Sequence, residues 1–365
     1  MSRTKKRVLI IISCFIFVLL YTIFAFRFSG DELQLKPQWT VQITKVNEKG
    51  VARNQEKQFP FKLGQNLGYF TPEGDISMAE SFPYMASISN DCWTIFGSNA
   101  ENTPFYDINK EEKGIVVPAG FPYFSENGKY VFLPGGMSFS ALDDNGAVLW
   151  SYEDVTPITS FYPYENGVIV GFVEGKIVNF DKNGNVIFTS TPGGSNYSVI
   201  LGCAASSDGV TSACVSGIDK QRFVVMQTSN QQTKTIFHEY LEGNLREQTF
   251  VKFSKDNKKI FFNDKNGLGV FDVDNLEVFH LPIEGKIVAV EEMESLNLFF
   301  VLAKLNGKFN VYILEDLSNL IGSFYFIANN SFILVDDNTL YTGADTTITK
   351  TEVARWWKNQ NKYYF

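Results

Sequence analysis

Cys203 and Cys214 are the residues whose type and spacing could do covalent chemistry, since they flank Ser206-Ser207-Asp208-Gly209 at equal distances from the Asp208-Gly209 step. A two-residue turn there pairs 207 with 210, 206 with 211, and so on until Cys203 faces Cys214. Directly opposed strand residues have Cα atoms about 4.5–5.5 Å apart, a span that a disulfide can bridge. The predicted chemistry is oxidation to a cystine in an oxidising compartment, stabilising a short loop by about 2–3 kcal/mol. Two buried thiols facing each other are the alternative. Cys92 has no sequence neighbour to pair with and reads as a free core thiol.

Other reactive groups are sparse. His238 and His280 each follow a strand-like run, and neither stands in a metal-ligand spacing. No G-x-S-x-G elbow and no phosphate-binding loop is present. Asp143-Asp144-Asn145 and Asp272-Val273-Asp274-Asn275 lack the alternating ligands, glycine and closing glutamate of a calcium loop, and hairpin turns explain them. The C-terminal tail, 351–365, concentrates Trp356, Trp357, Tyr363, Tyr364 and Phe365. Packing against the folded body is one use for it; contact with a partner or a membrane interface is the other.

The first element that positions all this is N-terminal. Residues 1–7 carry Arg3, Lys5, Lys6 and Arg7, and the nineteen residues 8–26 carry no charge. A helix of that length spans roughly 28 Å, about one hydrocarbon core. Ala25-Phe26-Arg27 is a poor cleavage site, and Cys14 sits in the middle of the apolar run rather than at its end, where a lipidated cysteine belongs. The pattern predicts a cytoplasmic tail at 1–7, an uncleaved transmembrane helix at 8–26, a stalk at 27–58, and a domain on the extracytoplasmic, periplasmic side of the inner membrane. All forty acidic residues but only twenty-seven of the thirty-two basic ones lie beyond residue 27, so that part carries −13. Such a domain disfavours nucleic acid as a partner.

The second element is a repeat. With 15% aromatic and 20% charged residues the chain leans toward strands. Segments 121–153, 159–191 and 250–283 each run aromatic strand, polar turn, apolar strand, second turn, apolar strand ending in Asp, Asn turn, apolar strand. Asn-Gly steps at 127–128, 145–146, 166–167 and 183–184 suit tight type I′ turns, in which both central residues need positive φ. Weaker copies begin at Tyr84, Ile200, Val288 and Phe324. First turns near 90, 127, 166, 208, 257, 297 and 330 are separated by 37, 39, 42, 49, 40 and 33 residues. That spacing brackets a propeller blade.

At this point the chain resembles the WD40-like and PQQ-like (quinoprotein-like) β-propellers. Ala141-Leu142-Asp143-Asp144-Asn145-Gly146-Ala147-Val148-Leu149-Trp150 looks like a PQQ-type blade ending, and Phe180 to Phe188 is similar with Phe for Trp. Phe253-Ser254-Lys255-Asp256-Asn257 looks like the WD40-like turn, with Asn257 where Gly is usual. The resemblance implies an all-β propeller over 59–350, of seven blades, or eight if 59–82 makes its own rather than completing the last one. Quinoproteins of that group hold their cofactor with a calcium-ligating carboxylate and often a vicinal Cys pair. No Cys-Cys occurs here, so no cofactor is expected. The expected role is a non-enzymatic, membrane-anchored scaffold for protein partners. An enzyme or ligand-binding propeller that uses its central channel, glycan-active or quinoprotein-like, is the rival. The propeller lipoprotein of the outer-membrane barrel-assembly machinery looks like the nearest functional analogue, which implies a role in envelope assembly, although it carries a lipid anchor where a transmembrane one is expected here.

Overall fold

A computed structural model describes residues 12–21, 32–44 and 57–356, apart from 99, 230, 231, 243, 244, 266 and 317. Residues 12–21 are helical and exposed; the rest of the apolar run 8–26 and the basic tail 1–7 lie outside the described residues. Among the described residues no helix is long and apolar enough to cross a membrane.

Among the described residues the strands form eight antiparallel sheets, seven of four strands and one of three. In chain order, blade 1 is β2 (Phe59–Leu63), β3 (Asn66–Phe70) and β4 (Ile76–Ser81). Blades 2 to 7 each use four consecutive strands and begin at Met85, Phe121, Ile158, Ile200, Val251 and Lys286. Blade 8 is β29 (Ser331–Asp336), β30 (Thr339–Ala344) and β31 (Thr347–Trp356), completed on its outer side by β1 (Glu32–Gln42). The β1–β31 ladder runs from Glu32 opposite Trp356 to Gln42 opposite Thr347, with a bulge between Pro37 and Trp39. The first strand thereby clasps the last blade, which leaves the ring no open seam.

Three expectations are corrected here. The blade number is eight, not seven. Residues 59–82 do not complete the last blade; they build a separate one. The segment read as a stalk, 27–58, contains the clasp strand, and β31 takes up the start of the segment read as a tail. The miscount has a local cause. The last copy does not open at Phe324, because Asn319–Ile327 is β28, the outer strand of blade 7. Blade 8 starts at Ser331, and its first turn is at Asp337-Asn338 rather than near 330.

Blade 1 also departs from the pattern. Its Thr71–Asp75 turn closes with Thr71 N to Asp75 O at 2.9 Å and Gly74 N to Thr71 O at 3.0 Å. The turns at Asp143–Ala147 and Asp181–Asn185, which join third to fourth strands, close with the same pair of bonds. In all three the paired strands slip register beside the turn, a slip that the second-to-third pairing of blade 4 lacks. β2 to β4 therefore occupy the second to fourth places, and no described strand takes the innermost place in that blade.

These turns are not type I′. Gly146 (φ +89°) and Gly184 (φ +82°) have positive φ, while Asn145 and Asn183 do not. Asp143 Oδ1 accepts from the amides of Asn145 and Ala147, and the partner strands slip register beside the turn. This is a type I turn closed by a left-handed glycine bulge, in which only the glycine needs freedom from a Cβ. At the WD40-like turn, Asn257 has φ +61° and takes the left-handed place that Gly209 (φ +74°) fills one blade earlier. Its side chain crosses to that blade, accepting from Ser207 N at 2.9 Å and donating to Ser207 Oγ at 2.7 Å.

Each blade buries both faces against its neighbours, so strands such as Gly167–Phe172 and Thr211–Ser216 are buried throughout. Aromatic rings fill the gaps. Phe223 and Phe262 stack across blades 5 and 6 with centroids 3.8 Å apart and planes 7° apart. That ring pair leaves no room at Gly269, where an added Cβ would come within 2.1 Å of Phe262. Any side chain there would force overpacking.

Candidate functional site

The inner strands bring polar groups together around the axis. Lys252 Nζ of blade 6 donates to Val290 O at 2.7 Å and to Glu291 Oε1 at 2.9 Å on blade 7. Tyr162, on the inner strand of blade 4, is pushed up to about 12 by burial, with Glu126 and Glu291 adding to the effect. Burial raises Tyr123 in the same direction. Neither phenol is therefore ionised near neutrality, and neither is an activated nucleophile. One recess of about 300 Å³ opens beside these strands, walled by Phe121, Phe132, Ile158 and Phe161 with Thr159, Ser160 and Gln248 as its polar side chains.

Two adjoining clefts, of about 890 and 490 Å³, share Ser295 and Asp337 near the clasp. They are acidic, and several of the charges are engaged. Lys255 Nζ meets Glu294 Oε1 at 3.0 Å, and Glu292 accepts from Lys255 N at 3.0 Å. Glu352 accepts from Gln38 Nε2 at 2.8 Å, and Asp336 pairs with Lys57. Among the described residues no group of three or more His, Cys, Asp or Glu is placed to hold a metal ion.

The rim carries the least expected surface. β28, Asn-Leu-Ile-Gly-Ser-Phe-Tyr-Phe-Ile, has no charge over nine residues and is an outer strand. Leu320 is 44% exposed, Ile321 38%, Tyr325 65% and Ile327 76%. The outer strand of blade 5, Gln232–Tyr240, carries Lys234, His238 and Glu239 instead. A free strand edge with apolar side chains is a pairing template, and proteins ordinarily blunt it with charge. Beside β28 lies a groove of about 360 Å³ whose far wall is blade 8, with Leu35 and Pro37 of β1 and Thr349 of β31 facing Phe324 and Phe326.

The sequence-selected residues are placed as follows. Cys203 stands directly opposite Cys214 in register, and both are buried thiols in this structure. The Cys203 thiol donates to Ser160 Oγ at 3.2 Å, and burial pushes it up to about 12. His280 bridges two blades, with Nδ1 3.0 Å from Asp264 Oδ2 and Nε2 3.0 Å from Glu239 Oε1; His238 is not part of that bridge. Trp356 ends β31, and Trp357, Tyr363, Tyr364 and Phe365 lie outside the described residues. Sequence reading passed over Leu320, Ile321, Tyr325 and Ile327 as a surface. The signal was available, since the nine residues 319–327 contain no Lys, Arg, Asp or Glu.

A family model described as a beta-propeller protein matches residues 1–356. An uncharacterized protein of Treponema pallidum (strain Nichols) is 28% identical over 295 residues, spanning 81% of this chain and 78% of that one. Among solved structures, BamB from Moraxella catarrhalis superposes with a TM-score of 0.60 at 13% identity, covering 87% of this chain and 100% of that one. The computationally designed Ika8 protein gives a TM-score of 0.57 at 14% identity, covering 82% and 97% respectively. At these identities the structural likeness concerns the fold alone.

Proposed function

The chain belongs to this beta-propeller protein family, and on that footing we propose that it is a non-enzymatic scaffold that docks protein partners on the rim strand β28. The supporting observation is the uncharged, exposed edge from Asn319 to Ile327. Such a strand offers an extended partner segment a row of backbone groups to pair with and apolar side chains at alternate positions. We place the scaffold on the extracytoplasmic face of the inner membrane, held by the apolar segment 8–26, and in the assembly of the cell envelope. The basic residues 3–7, the uncharged run after them and the −13 charge beyond residue 27 support that placement.

Two outcomes test the reading. Leu320→Lys combined with Ile327→Lys puts two charges on the edge at exposed positions, so stability should change by less than about 1 kcal/mol. Copurification of a stoichiometric partner from detergent-solubilised membranes should be lost. Retention of that partner, or a small molecule bound at the axis in its place, would reverse the reading in favour of a ligand-binding propeller.

The second outcome concerns location. An oxidising compartment should join Cys203 to Cys214 during folding, before burial shields the thiols. Alkylation of the unfolded, unreduced protein should then modify Cys92 and spare that pair. Modification of Cys203 and Cys214 as well would show a reduced hairpin and count against export.

A further inference from the structure

The recess beside the axis, of about 300 Å³, has in its wall a polar group with nothing to bond. Thr159 Oγ1 is buried and has no hydrogen-bond partner. A valine has nearly the same shape and would spare the protein the cost of a buried, unpaired hydroxyl. The neighbouring Ser160 hydroxyl is engaged, its Oγ accepting from Cys203 N at 2.9 Å. The remaining walls are rings fixed by other rings. Phe132 and Phe161 meet edge to face with centroids 4.7 Å apart, and Tyr130 meets Phe161 at 5.0 Å. Walls already set in place lose little freedom when something enters. Among the described residues, none that lines the recess is charged. An apolar cavity of about 150 Å³ takes up benzene, so this one suits a single neutral ring that brings a polar atom to Thr159.

The surroundings point to a protein as the source of that ring. Leu133 and Gly136 lie in the turn between the second and third strands of blade 3, and Phe121 and Ile158 begin blades 3 and 4. The recess therefore opens on the face where each blade hands over to the next. On that face four consecutive linkers, 82–84, 117–120, 154–157 and 191–199, each expose an apolar side chain. Tyr84 is 75% exposed, Val117 58%, Val155 85% and Tyr197 68%. The next three linkers expose Glu242, Arg246 and Glu247, then Glu284, then Asn329 and Asn330. Apolar tips confined to one half of a face, around a preformed pocket, match an interface in which one anchor side chain is ringed by contacts that exclude water.

We propose that this half of the face docks another protein, which seats one tyrosine side chain in the recess with its hydroxyl bonded to Thr159 Oγ1. Tyrosine is the neutral aromatic side chain whose polar atom both donates and accepts, as the threonine hydroxyl does. The site is separate from β28 and does not rest on it.

The test uses the full-length chain. In detergent micelles, N-acetyltyrosinamide should bind about fivefold more tightly than N-acetylphenylalaninamide, the worth of one neutral hydrogen bond. Thr159→Val should erase that preference while the melting temperature stays at or above the parent's. A preference that is missing from the parent, or that survives Thr159→Val, overturns the proposal. The partner is read in intact membranes, with the photocrosslinker p-benzoylphenylalanine in place of Tyr84. Irradiation should join the chain to another protein, and N-acetyltyrosinamide should suppress that adduct more strongly than its phenylalanine counterpart does. An adduct indifferent to the tyrosine analogue, or no protein adduct at all, overturns the proposal as well. Leu320→Lys with Ile327→Lys should leave the adduct unchanged; its loss would mean that the face has no site of its own.

Discussion

Removing residues 32–42 should leave a chain that no longer unfolds in one cooperative step at the parent temperature. β1 supplies the outer strand of blade 8 and is the segment that ties the first part of the ring to the last. Leu33 and Leu35 pack onto the core shared with blade 7, and Trp39 and Val41 onto the core shared with blade 1. Trp39 Nε1 also donates to Pro72 O at 3.2 Å, which holds the Thr71–Asp75 turn of blade 1. Losing all of this exceeds the margin of about 5–15 kcal/mol by which domains are ordinarily stable. Trp39→Ala is the milder variant; a half-buried Trp should cost about 2–4 kcal/mol, just under the range for full burial. Thermal unfolding followed by circular dichroism, with limited proteolysis, checks both. A deletion that melts as the parent does would mean the ring holds without its clasp.

The second large effect is expected where blades 2 and 3 meet. Lys129 is 9% exposed and has Asp91 Oδ2 at 3.4 Å and Asp144 Oδ1 at 2.9 Å; Lys113 Nζ reaches Asp91 Oδ2 at 2.6 Å. Burial pushes the Asp91 carboxyl up, but hydrogen bonds from Lys113 and Ser89 and the charge of Lys129 more than offset it and hold the group well below the usual carboxylate range. A depressed carboxyl contributes stability that is complete above its unfolded value and is lost as pH falls through the folded one. Asp91→Ala leaves the Lys129 ammonium buried with only the exposed Asp144 beside it. Breaking a fully buried pair costs about 3–5 kcal/mol; Asp91 is itself half-exposed, so about 2 kcal/mol is expected. Lys129→Met in the same chain should recover part of that loss, because the unpaired charge is gone. Urea unfolding at pH 7 and pH 3 reads both effects. The parent should lose more stability between those two pH values than Asp91→Ala does, and equal losses would remove the carboxylate from the account.

How far the architecture was legible follows from which residues carried the signal. Blades 3, 4 and 6 announce themselves through Asp and Asn turns whose geometry demands those side chains, as at Asp143–Ala147 and Asp181–Asn185. Blades 1 and 8 were harder. Propeller strands are buried on both faces, so they lose the alternation that tells an inner strand from an outer one. Phe324-Tyr325-Phe326-Ile327 and Phe332-Ile333-Leu334-Val335 read alike, yet the first borders the rim and the second the axis. The opposition of Cys203 and Cys214 was legible because it depends only on a local turn. Ser206 N to Thr211 O, at 2.8 Å, closes a wider loop than expected without changing the register. The groove was not legible, since its walls come from β28 and from a strand nearly three hundred residues earlier.

The clasp also sets an order of events during synthesis. β1 is among the first parts of the chain to leave the ribosome, but its partner β31 is complete only once residue 356 has been made. At the usual 5–20 residues per second that delay is roughly 15–60 s. Throughout it, Glu32 to Gln42 is a strand without its partner, able to pair with whatever edge comes near. The middle of the strand guards against this: Lys36 and Pro37 interrupt its apolar positions, and the bulge before Trp39 breaks its register. A charge, a missing amide and a kink make it a poor template for any strand but the one shaped to accept the bulge.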